Sequence, residues 1–254
     1  MTWVWRLVIA ALILGGWQVG TATGVMPPLF FGRPVAIFAV VVRWFASGVI
    51  WPHLAVTITE TLLAFASGTV AGVAAGLWLG LSPKTQRVLS PFINAANAMP
   101  RVILAPIFAM WFGLGVGSKV ALGFTLVFFV VFFNVLQGVR EVSPVVLNGT
   151  RMLGASRGQL LRHVYLPAAL SRVFSSLHVS VGMAFVGAVV GEYLGSSAGV
   201  GYLILQAEGV FDVDTVFAGI VVLTGCALAL DGCVTLAETR LMVWQPRAET
   251  PRDT

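Results

Sequence analysis

Long apolar runs alternate with short polar segments along the chain, and the runs have the length of membrane-spanning helices. A transmembrane helix needs about 17–25 mainly apolar residues. Six segments approach or meet that length: residues 3–20, 54–79, 92–112, 120–136, 173–194 and 216–236. The pattern therefore predicts an all-α, polytopic membrane protein with about six transmembrane helices.

The composition is that of a membrane protein, and it suggests that the positive charge marks the cytoplasmic side of the chain. Of the 254 residues, 58% are hydrophobic and 10% are charged, whereas soluble domains carry roughly 25% charged residues. The net charge of +5 does not predict a nucleic-acid partner. Basic residues of membrane proteins gather in cytoplasmic connections, and we interpret the charge in that way.

The distribution of charge predicts the orientation of the chain. Residues 195–214 contain acidic residues but no lysine or arginine, while Arg240, Arg247 and Arg252 follow the last apolar run. Lysine and arginine near the ends of a span resist translocation. We therefore expect residues 195–214 outside and both termini in the cytoplasm.

Four regions follow from these spans. Residues 1–22 are expected to be a first transmembrane helix, because no small-x-small cleavage site of a signal peptide follows them. Residues 23–51 are expected to be an extracytoplasmic segment, with a short helix over 35–45 on the membrane surface. Residues 52–240 form the main transmembrane domain, and residues 241–254 form a cytoplasmic tail.

The second span contains a repeat of small residues after one acidic interruption at Glu60. Gly68, Gly72, Gly76 and Gly80 recur at every fourth position. In a helix these glycines share one face, which allows another helix to approach closely. The repeat predicts tight helix packing along the second half of this span.

The third span is not predicted to be a plain helix. It includes Asn94, Asn97, Pro100, Arg101 and Pro106. A proline break is tolerated at membrane depth where the freed backbone faces protein or a water-filled cavity. Polar residues within spans commonly face a bundle interior or a solute path. A solute path is one interpretation of this segment, and a kink that serves packing alone is the other.

Residues 141–167 form the most polar internal segment and predict two short helices. Ser143 can cap a first helix, and Gly154 can end it in a left-handed conformation that a side chain resists. Ser156 can cap a second helix, which we expect to end before Pro167. Two short helices joined by a glycine bend form a projection that suits a groove on a partner protein.

The spacing in this segment resembles the permease subunits of bacterial ABC importers. Their cytoplasmic signature is Glu-Ala-Ala, three residues, Gly, nine residues and Ile-x-Leu-Pro. Here nine residues separate Gly154 from Val164-Tyr165-Leu166-Pro167. Asn148-Gly149-Thr150 stands where Glu-Ala-Ala is expected, so the acidic docking residue of the family is replaced.

Two further stretches resemble one branch of these permeases, the branch for nitrate, sulfonates, taurine and pyrimidine precursors. The first runs from Met99-Pro100-Arg101 to Ser118-Lys119, and the second occupies residues 187–204. The resemblance extends over roughly residues 30–245.

The resemblance implies a subunit of an ATP-driven importer in the bacterial inner membrane. It implies a coupling-helix loop between the fourth and fifth spans, two ATPase subunits, a second permease copy forming a homodimer, and a periplasmic or lipid-anchored solute-binding protein. ATP and magnesium would bind to the ATPase, and this chain would bind no cofactor. The residues implied in ATPase coupling are Asn148, Gly149, Thr150, Arg151, Gly154, Ala155, Ser156, Leu166 and Pro167. The residues expected along the translocation pathway are Glu60, Asn97, Met99, Pro100, Arg101, Asn134 and Glu192.

The residues also bear on two other classes of function, a membrane enzyme and a proton-coupled carrier. The three histidines are scattered without ligand spacing, and no phosphate-binding loop with a lysine occurs. We therefore expect no catalytic residue, no metal site and no ATP hydrolysis by this chain. A proton-coupled carrier that uses Glu60 and Glu192 is the alternative function, because membrane acids can titrate.

The sequence is compatible with two classes of solute and with two roles for Glu192. Arg101 favours an anion such as a sulfonate, taurine or nitrate. Many related permeases carry an arginine where this chain has Glu60, which resembles the pyrimidine-precursor side of the branch. Glu192 either pairs with an amide or hydroxyl near residues 195–197 or lines the pathway.

Overall fold

The computed structural model describes residues 2–241, and every regular element in that range is helical. The predicted tail, with Arg247 and Arg252, lies largely outside the described residues. The helices are α1 (Thr2–Ala22), α2 (Pro28–Phe31), α3 (Pro34–Ser47), α4 (Ile50–Gly80), α5 (Pro83–Ala98), α6 (Ala105–Phe112), α7 (Val116–Arg140), α8 (Pro144–Met152), α9 (Arg157–Leu160), α10 (Leu166–Leu194), α11 (Val200–Gly209) and α12 (Val213–Leu241).

Five of these helices are long and apolar enough to cross a membrane, and a bent pair makes a sixth candidate. This confirms the prediction of about six spans. The helices extend beyond the predicted apolar runs, since the second span begins at Ile50 and ends at Gly80. Helix α4 runs through Glu60, the acidic residue within this apolar run, and buries its side chain.

The centre of the fold is α7, which packs against α4 and α10, and these two helices also contact each other. The glycine repeat of α4 faces α7. A Cβ atom on Gly72 would lie 2.9 Å from the Phe128 carbonyl oxygen, and one on Gly76 would lie 2.8 Å from Val135 Cβ. The other two glycines of the repeat meet α7 in the same way. The prediction of a close-packed glycine face is confirmed.

The third span is broken as expected. A 3-10 turn, Arg101–Leu104, separates α5 from α6, and the two halves of the span meet at an angle of 84°. Helix α5 ends at Ala98, and Met99 and Pro100 are extended before the 3-10 turn. Pro106 lies in the first turn of α6 and does not break it. Helix α5 begins at Pro83, where proline fits a first helical turn.

The remaining helices surround one side of this centre. Helix α12 packs against α3, α10 and α11, and α1 packs mainly against α3. Helix α3 spans Pro34–Ser47, where the sequence predicted a short helix over 35–45. Helix α11 lies in a region for which no helix was predicted.

The expected end of the second short helix before Pro167 is wrong. Helix α9 passes into a π-helical segment, Leu161–Tyr165, and then into α10 without a break. Pro167 occupies the first turn of α10. Because proline has no N–H to donate, the wider π turn before it accommodates the missing helical hydrogen bond. Residues 157–194 thus form one continuous helical rod.

Candidate coupling and pathway sites

The segment of residues 141–167, here called the coupling segment, begins with a helix that is capped at both ends. The Ser143 hydroxyl accepts a hydrogen bond from the Val145 amide at 3.3 Å. At the other end, Gly154 has φ +84°, its amide donates to Arg151 O, and the Ala155 amide donates to Thr150 O. These two bonds form a Schellman motif, which uses a left-handed glycine to end a helix. The predicted role of Gly154 in the backbone is confirmed.

The second helix of the coupling segment begins with a reciprocal cap. Ser156 Oγ accepts from the Gln159 amide at 3.3 Å, and Gln159 Oε1 accepts from the Ser156 amide at 2.8 Å. Such a capping box satisfies two amides that a helix start leaves unbonded. The turn between α8 and α9 is therefore fixed by local bonds on both sides.

Large apolar side chains of the coupling segment are exposed. Met152 and Leu153 are 88% and 90% accessible, and Val145 is 80% accessible. Beside them lies a shallow groove lined by Thr150, Leu153, Gly154, Ala155, Gln159 and His163. A contiguous exposed apolar patch commonly marks an interaction surface.

The predicted coupling residues fall in three places along the coupling segment. Asn148, Gly149, Thr150 and Arg151 belong to α8, and Leu166 and Pro167 begin α10. Gly154, Ala155 and Ser156 form the turn between α8 and α9.

Glu141 connects the base of the coupling segment to α10. Its carboxylate accepts a hydrogen bond from Gln137 Nε2 at 2.8 Å and forms an ion pair with Arg172. The hydrogen bonds from Gln137 and Arg172 lower the pKa of Glu141 below its ordinary value. The group is exposed, so salt and water screen this interaction.

The break in the third span places a polar cluster on an exposed face. Arg101 Nη2 donates to Asn97 Oδ1 at 2.6 Å and to Asn97 O at 3.1 Å. The Arg101 guanidinium carbon also lies 4.7 Å from the centroid of the Phe129 ring, within reach of a cation–π interaction. Met99 and Pro100, at the break itself, are exposed.

The other three predicted pathway residues lie elsewhere. Asn134 is half-buried on α7, where its amide donates to Val130 O at 2.8 Å. Glu60 on α4 and Glu192 on α10 are both fully buried. The structure brings Asn97, Met99, Pro100 and Arg101 together, and it brings Glu60 and Glu192 together, as two separate groups.

Glu192 is hydrogen-bonded, although not to the residues that the sequence suggested. Its Oε1 accepts from the Thr57 hydroxyl at 2.6 Å, and its Oε2 accepts from the Gly201 amide at 2.7 Å. The expected partners at residues 195–197 are thus replaced by a hydroxyl of α4 and an amide of α11. The reason is that α11 folds back, which brings its first turn over the end of α10.

Lys119 is the buried charged residue that sequence reasoning missed. It is 1% exposed, and its Nζ donates to Leu114 O and, at 2.6 Å, to Gly195 O. Its position at the start of a long apolar run could have identified it, because a cation at membrane depth needs partners. We call Glu60, Lys119 and Glu192 the carboxylate–lysine cluster.

A second polar cluster, formed by one histidine and two acidic residues, was also not predicted from the sequence. His178 Nδ1 lies 2.6 Å from Asp231 Oδ1, and His178 Nε2 lies 3.1 Å from Glu238 Oε2. These contacts join α10 to α12. A doubly protonated imidazole would satisfy both carboxylates. Within residues 2–241, no group of three or more potential ligands is arranged to hold a metal ion.

The family of the chain follows from its sequence. The family model described as "Binding-protein-dependent transport system inner membrane component" matches residues 68–243, which is more than half of the chain. The chain belongs to this family. It is a membrane-spanning permease subunit of an ABC importer, and ATP hydrolysis takes place in a separate ATPase subunit.

Curated relatives agree with this assignment over nearly the full length. An aliphatic sulfonates transport permease, SsuC of Bacillus subtilis, is 32% identical over 96% of this chain and 88% of its own. The formylaminopyrimidine transport permease ThiX of Halalkalibacterium halodurans is 27% identical over 91% of this chain and 92% of its own. The branch that the sequence resembled is confirmed.

The fold is also that of solved permeases. A chain of the MetNI methionine ABC transporter in an inward-facing conformation superposes with a TM-score of 0.64 at 18% identity, covering 76% of this permease and 95% of that chain. The family assignment gives no support to a proton-coupled carrier built on Glu60 and Glu192.

Proposed function

We propose that two copies of this permease form the solute pathway of a bacterial inner-membrane importer and that an ATPase subunit binds each coupling segment. A periplasmic or lipid-anchored protein delivers the solute. ATP and magnesium bind to the ATPase subunits. Both termini of the permease face the cytoplasm, on the same side as the coupling segment.

The exposed apolar surface of the coupling segment is the observation that supports this proposal most strongly. Met152 and Leu153 end a helix that is capped at both ends, yet both side chains lie almost entirely in solvent. Burying each side chain against a partner would contribute about 1.5–3 kcal/mol. A well-ordered turn with unburied apolar side chains is the form expected of a docking element.

The continuous helical rod provides a route for coupling. Residues 157–194 connect the turn after Gly154 to Glu192 without a break. At 1.5 Å per residue, a rod of this length spans about 55 Å, longer than the hydrocarbon core of a membrane. A displacement of the coupling segment by the ATPase would therefore shift the opposite end of α10, where Glu192 contacts α4 and α11.

An organic anion, such as a sulfonate, is the solute class that we propose. Glu60 and Glu192 are fully buried, so their charges do not face an open path. Arg101, by contrast, is half-buried on the exposed side of the broken span. The relative SsuC is named for the transport of aliphatic sulfonates, and the relative ThiX for the transport of formylaminopyrimidine. A pyrimidine precursor is therefore the second candidate solute.

The coupling proposal is tested by Gly154→Ala, with Gly158→Ala as the matched control. A new Cβ atom meets no neighbour within 4 Å at either position, but only Gly154 has a positive φ. Alanine in the left-handed conformation costs about 1–2 kcal/mol. We expect Gly154→Ala to reduce co-purification of the ATPase and solute uptake roughly 5–30-fold, with an unchanged amount of permease in the membrane. Equal uptake and co-purification in the two variants would refute the docking assignment.

The solute proposal is tested on the partner binding protein. A thermal-shift screen should show stabilisation by alkyl sulfonates or taurine, and uptake in cells should follow the same preference. Stabilisation by formylaminopyrimidine alone would replace the anion with the second candidate and would leave the coupling proposal unaffected.

A further inference from the structure

A polar cavity lies between α4, α5 and α7, at the end of α7 that precedes the coupling segment. Its volume is about 140 Å³, whereas one water molecule takes about 30 Å³ in the liquid. Its polar lining consists of Gln86, Ser90, Asn94 and Arg140. In the described part of the chain, no acidic side chain is among the residues that line it. The lining therefore favours an anionic group.

Gln86 is the most buried of these polar residues. It is 8% exposed, and its backbone carbonyl accepts a hydrogen bond from the Ser90 hydroxyl at 2.6 Å. Within residues 2–241, its side-chain amide has no hydrogen-bond partner. Buried polar groups in proteins are normally hydrogen-bonded, because an unpaired one is unfavourable. The Gln86 amide is therefore available to a ligand in the cavity.

Arg140 provides the positive charge of the cavity. It is the last residue of α7, and the adjacent acid, Glu141, is already paired with Arg172. None of the ion pairs among the described residues includes Arg140. A guanidinium group binds phosphate oxygens through parallel N–H donors. Together with the amides of Gln86 and Asn94, Arg140 presents the donors that a phosphate group requires.

The polar cavity continues into a groove of about 320 Å³ that is lined by apolar side chains alone. Leu79, Ile93 and Phe132 line both spaces, so the two are contiguous. Two large side chains of the groove, Trp78 and Phe92, are 58% and 71% exposed. A polar cavity that opens into an apolar groove matches an amphipathic molecule, whereas a free phosphate ion would leave the groove unused.

The order of the two spaces along the helices agrees with the layers of a membrane. Arg140 lies directly before the coupling segment, which we place in the cytoplasm, so the polar cavity lies at the level of the cytoplasmic lipid headgroups. The groove is lined by α7 residues 128, 129 and 132, about two to three helical turns before Arg140. That position is among the acyl chains. The choice of the cytoplasmic leaflet rests on the proposed function, but the continuity of cavity and groove does not.

We propose that the cavity and the groove together bind one anionic phospholipid. Its phosphate group accepts hydrogen bonds from Arg140 and Gln86, and one of its acyl chains lies along Phe132 in the groove. Basic pockets between membrane helices on the cytoplasmic side suit anionic headgroups. An ammonium headgroup would find no carboxylate in this lining. The bound lipid fills the space between α5 and α7 and thereby supports the first half of the broken span.

The first test counts the lipid that the purified permease retains. The permease, with and without its ATPase, is released from nanodiscs of phosphatidylglycerol and phosphatidylethanolamine, and bound lipid is measured by native mass spectrometry. Wild type should retain phosphatidylglycerol preferentially. Arg140→Gln should weaken this retention about 10-fold, because it removes hydrogen bonds from a charged donor.

Arg87→Gln is the matched control for the headgroup. It removes the same charge from an exposed position of α5 that does not line the cavity, and it should retain phosphatidylglycerol as wild type does. Equal losses in the two variants would mean that diffuse surface charge attracts the lipid, and they would overturn the site.

The second test addresses the groove. Ala96 is exposed and lines the groove, so Ala96→Trp occupies the space of the acyl chain without a change of charge and should abolish retention. Val88→Trp, at a 67% exposed position outside both linings, is its control and should leave retention unchanged. Normal retention in Ala96→Trp, or displacement of the lipid by excess inorganic phosphate, would reduce the site to a simple anion site and overturn the lipid.

A third measurement tests a second permease copy as the occupant of the groove. In Ala96→Cys, a disulfide between two copies would require their α5 helices to meet at this position, and its formation would overturn the proposal. Lipid retention by the permease without its ATPase does not depend on docking or uptake. Failure of the coupling proposal would therefore leave this readout intact, and loss of the lipid site would leave the docking assignment standing.

Discussion

The two ends of α10 carry charged and apolar groups in opposite arrangements. At the α11 end, the carboxylate–lysine cluster is fully buried. Glu192 accepts a hydrogen bond from Thr57, and Lys119 donates one to Gly195 O. At the other end, the Glu141–Arg172 ion pair is exposed, and Met152 and Leu153 project into solvent. One end is completed by contacts within the chain. The other end leaves apolar surface that only another molecule can cover.

This difference predicts where substitutions act. Buried charges have lost their contact with water, so removing one partner leaves the others uncompensated and destabilises the fold. Exposed apolar side chains contribute little to the fold, so replacing them affects association with a partner. Three substitutions test this division, and they are given in order of decreasing effect.

Lys119→Met should destabilise the permease most. It leaves the carbonyls of Leu114 and Gly195 without their charged donor, at a cost of about 3–5 kcal/mol. Lys84→Met, at an exposed position, is the control and should have little effect. Thermal unfolding of the purified complex measures both, and equal unfolding temperatures would contradict the importance of the buried charge.

Leu153→Ser should weaken ATPase binding without destabilising the permease. The side chain is 90% exposed, so the fold loses few contacts, while the docking surface loses about 1–3 kcal/mol of apolar burial. We expect about 10-fold weaker ATPase association in a titration of the two purified subunits. The matched control is Val210→Ser, which is 74% exposed near α11. A loss of stability without a loss of association would reverse the interpretation.

Glu141→Gln should have the smallest effect, and the effect should depend on pH. The pKa of Glu141 is lowered in the folded protein by Gln137 and Arg172. The ionised carboxylate therefore stabilises the fold above the ordinary carboxyl pKa, and this contribution is lost as the pH falls through the folded pKa. Unfolding temperatures of wild type and variant should differ slightly near neutral pH and converge in acid. A difference that grows in acid would contradict this sign.

Hydrophobic pattern and local chemistry were enough to predict much of the fold. Span number followed from run length, because a bilayer imposes the length of its helices. The close approach of α4 to α7 followed from the four-residue glycine repeat, and the turn at Gly154 followed from capping preferences. Each of these signals lies within a few helical turns of sequence, so it can be read without knowledge of the fold.

Pro167 shows where local rules were insufficient. Proline was expected to end the second short helix, since it cannot donate a helical hydrogen bond. The structure accommodates it with a π-helical segment before α10, and the helix continues. Packing of α10 against α4 and α7 stabilises the continuous helix, and that contribution is absent from the local sequence.

Sequence patterns alone were enough to predict the spans, the glycine packing face, the capped turn and the family of this permease. The partners of the buried charges depend instead on how the helices pack. Glu60, Lys119 and Glu192 are separated by 59 and 73 residues along the chain, and no local pattern links them. The folding of α11 over the end of α10 brings the Gly201 amide to Glu192, while α4 supplies Thr57 and α7 supplies Lys119. The protonation and orientation of an acid depend on the donors around it, and those donors come together only when the helices pack.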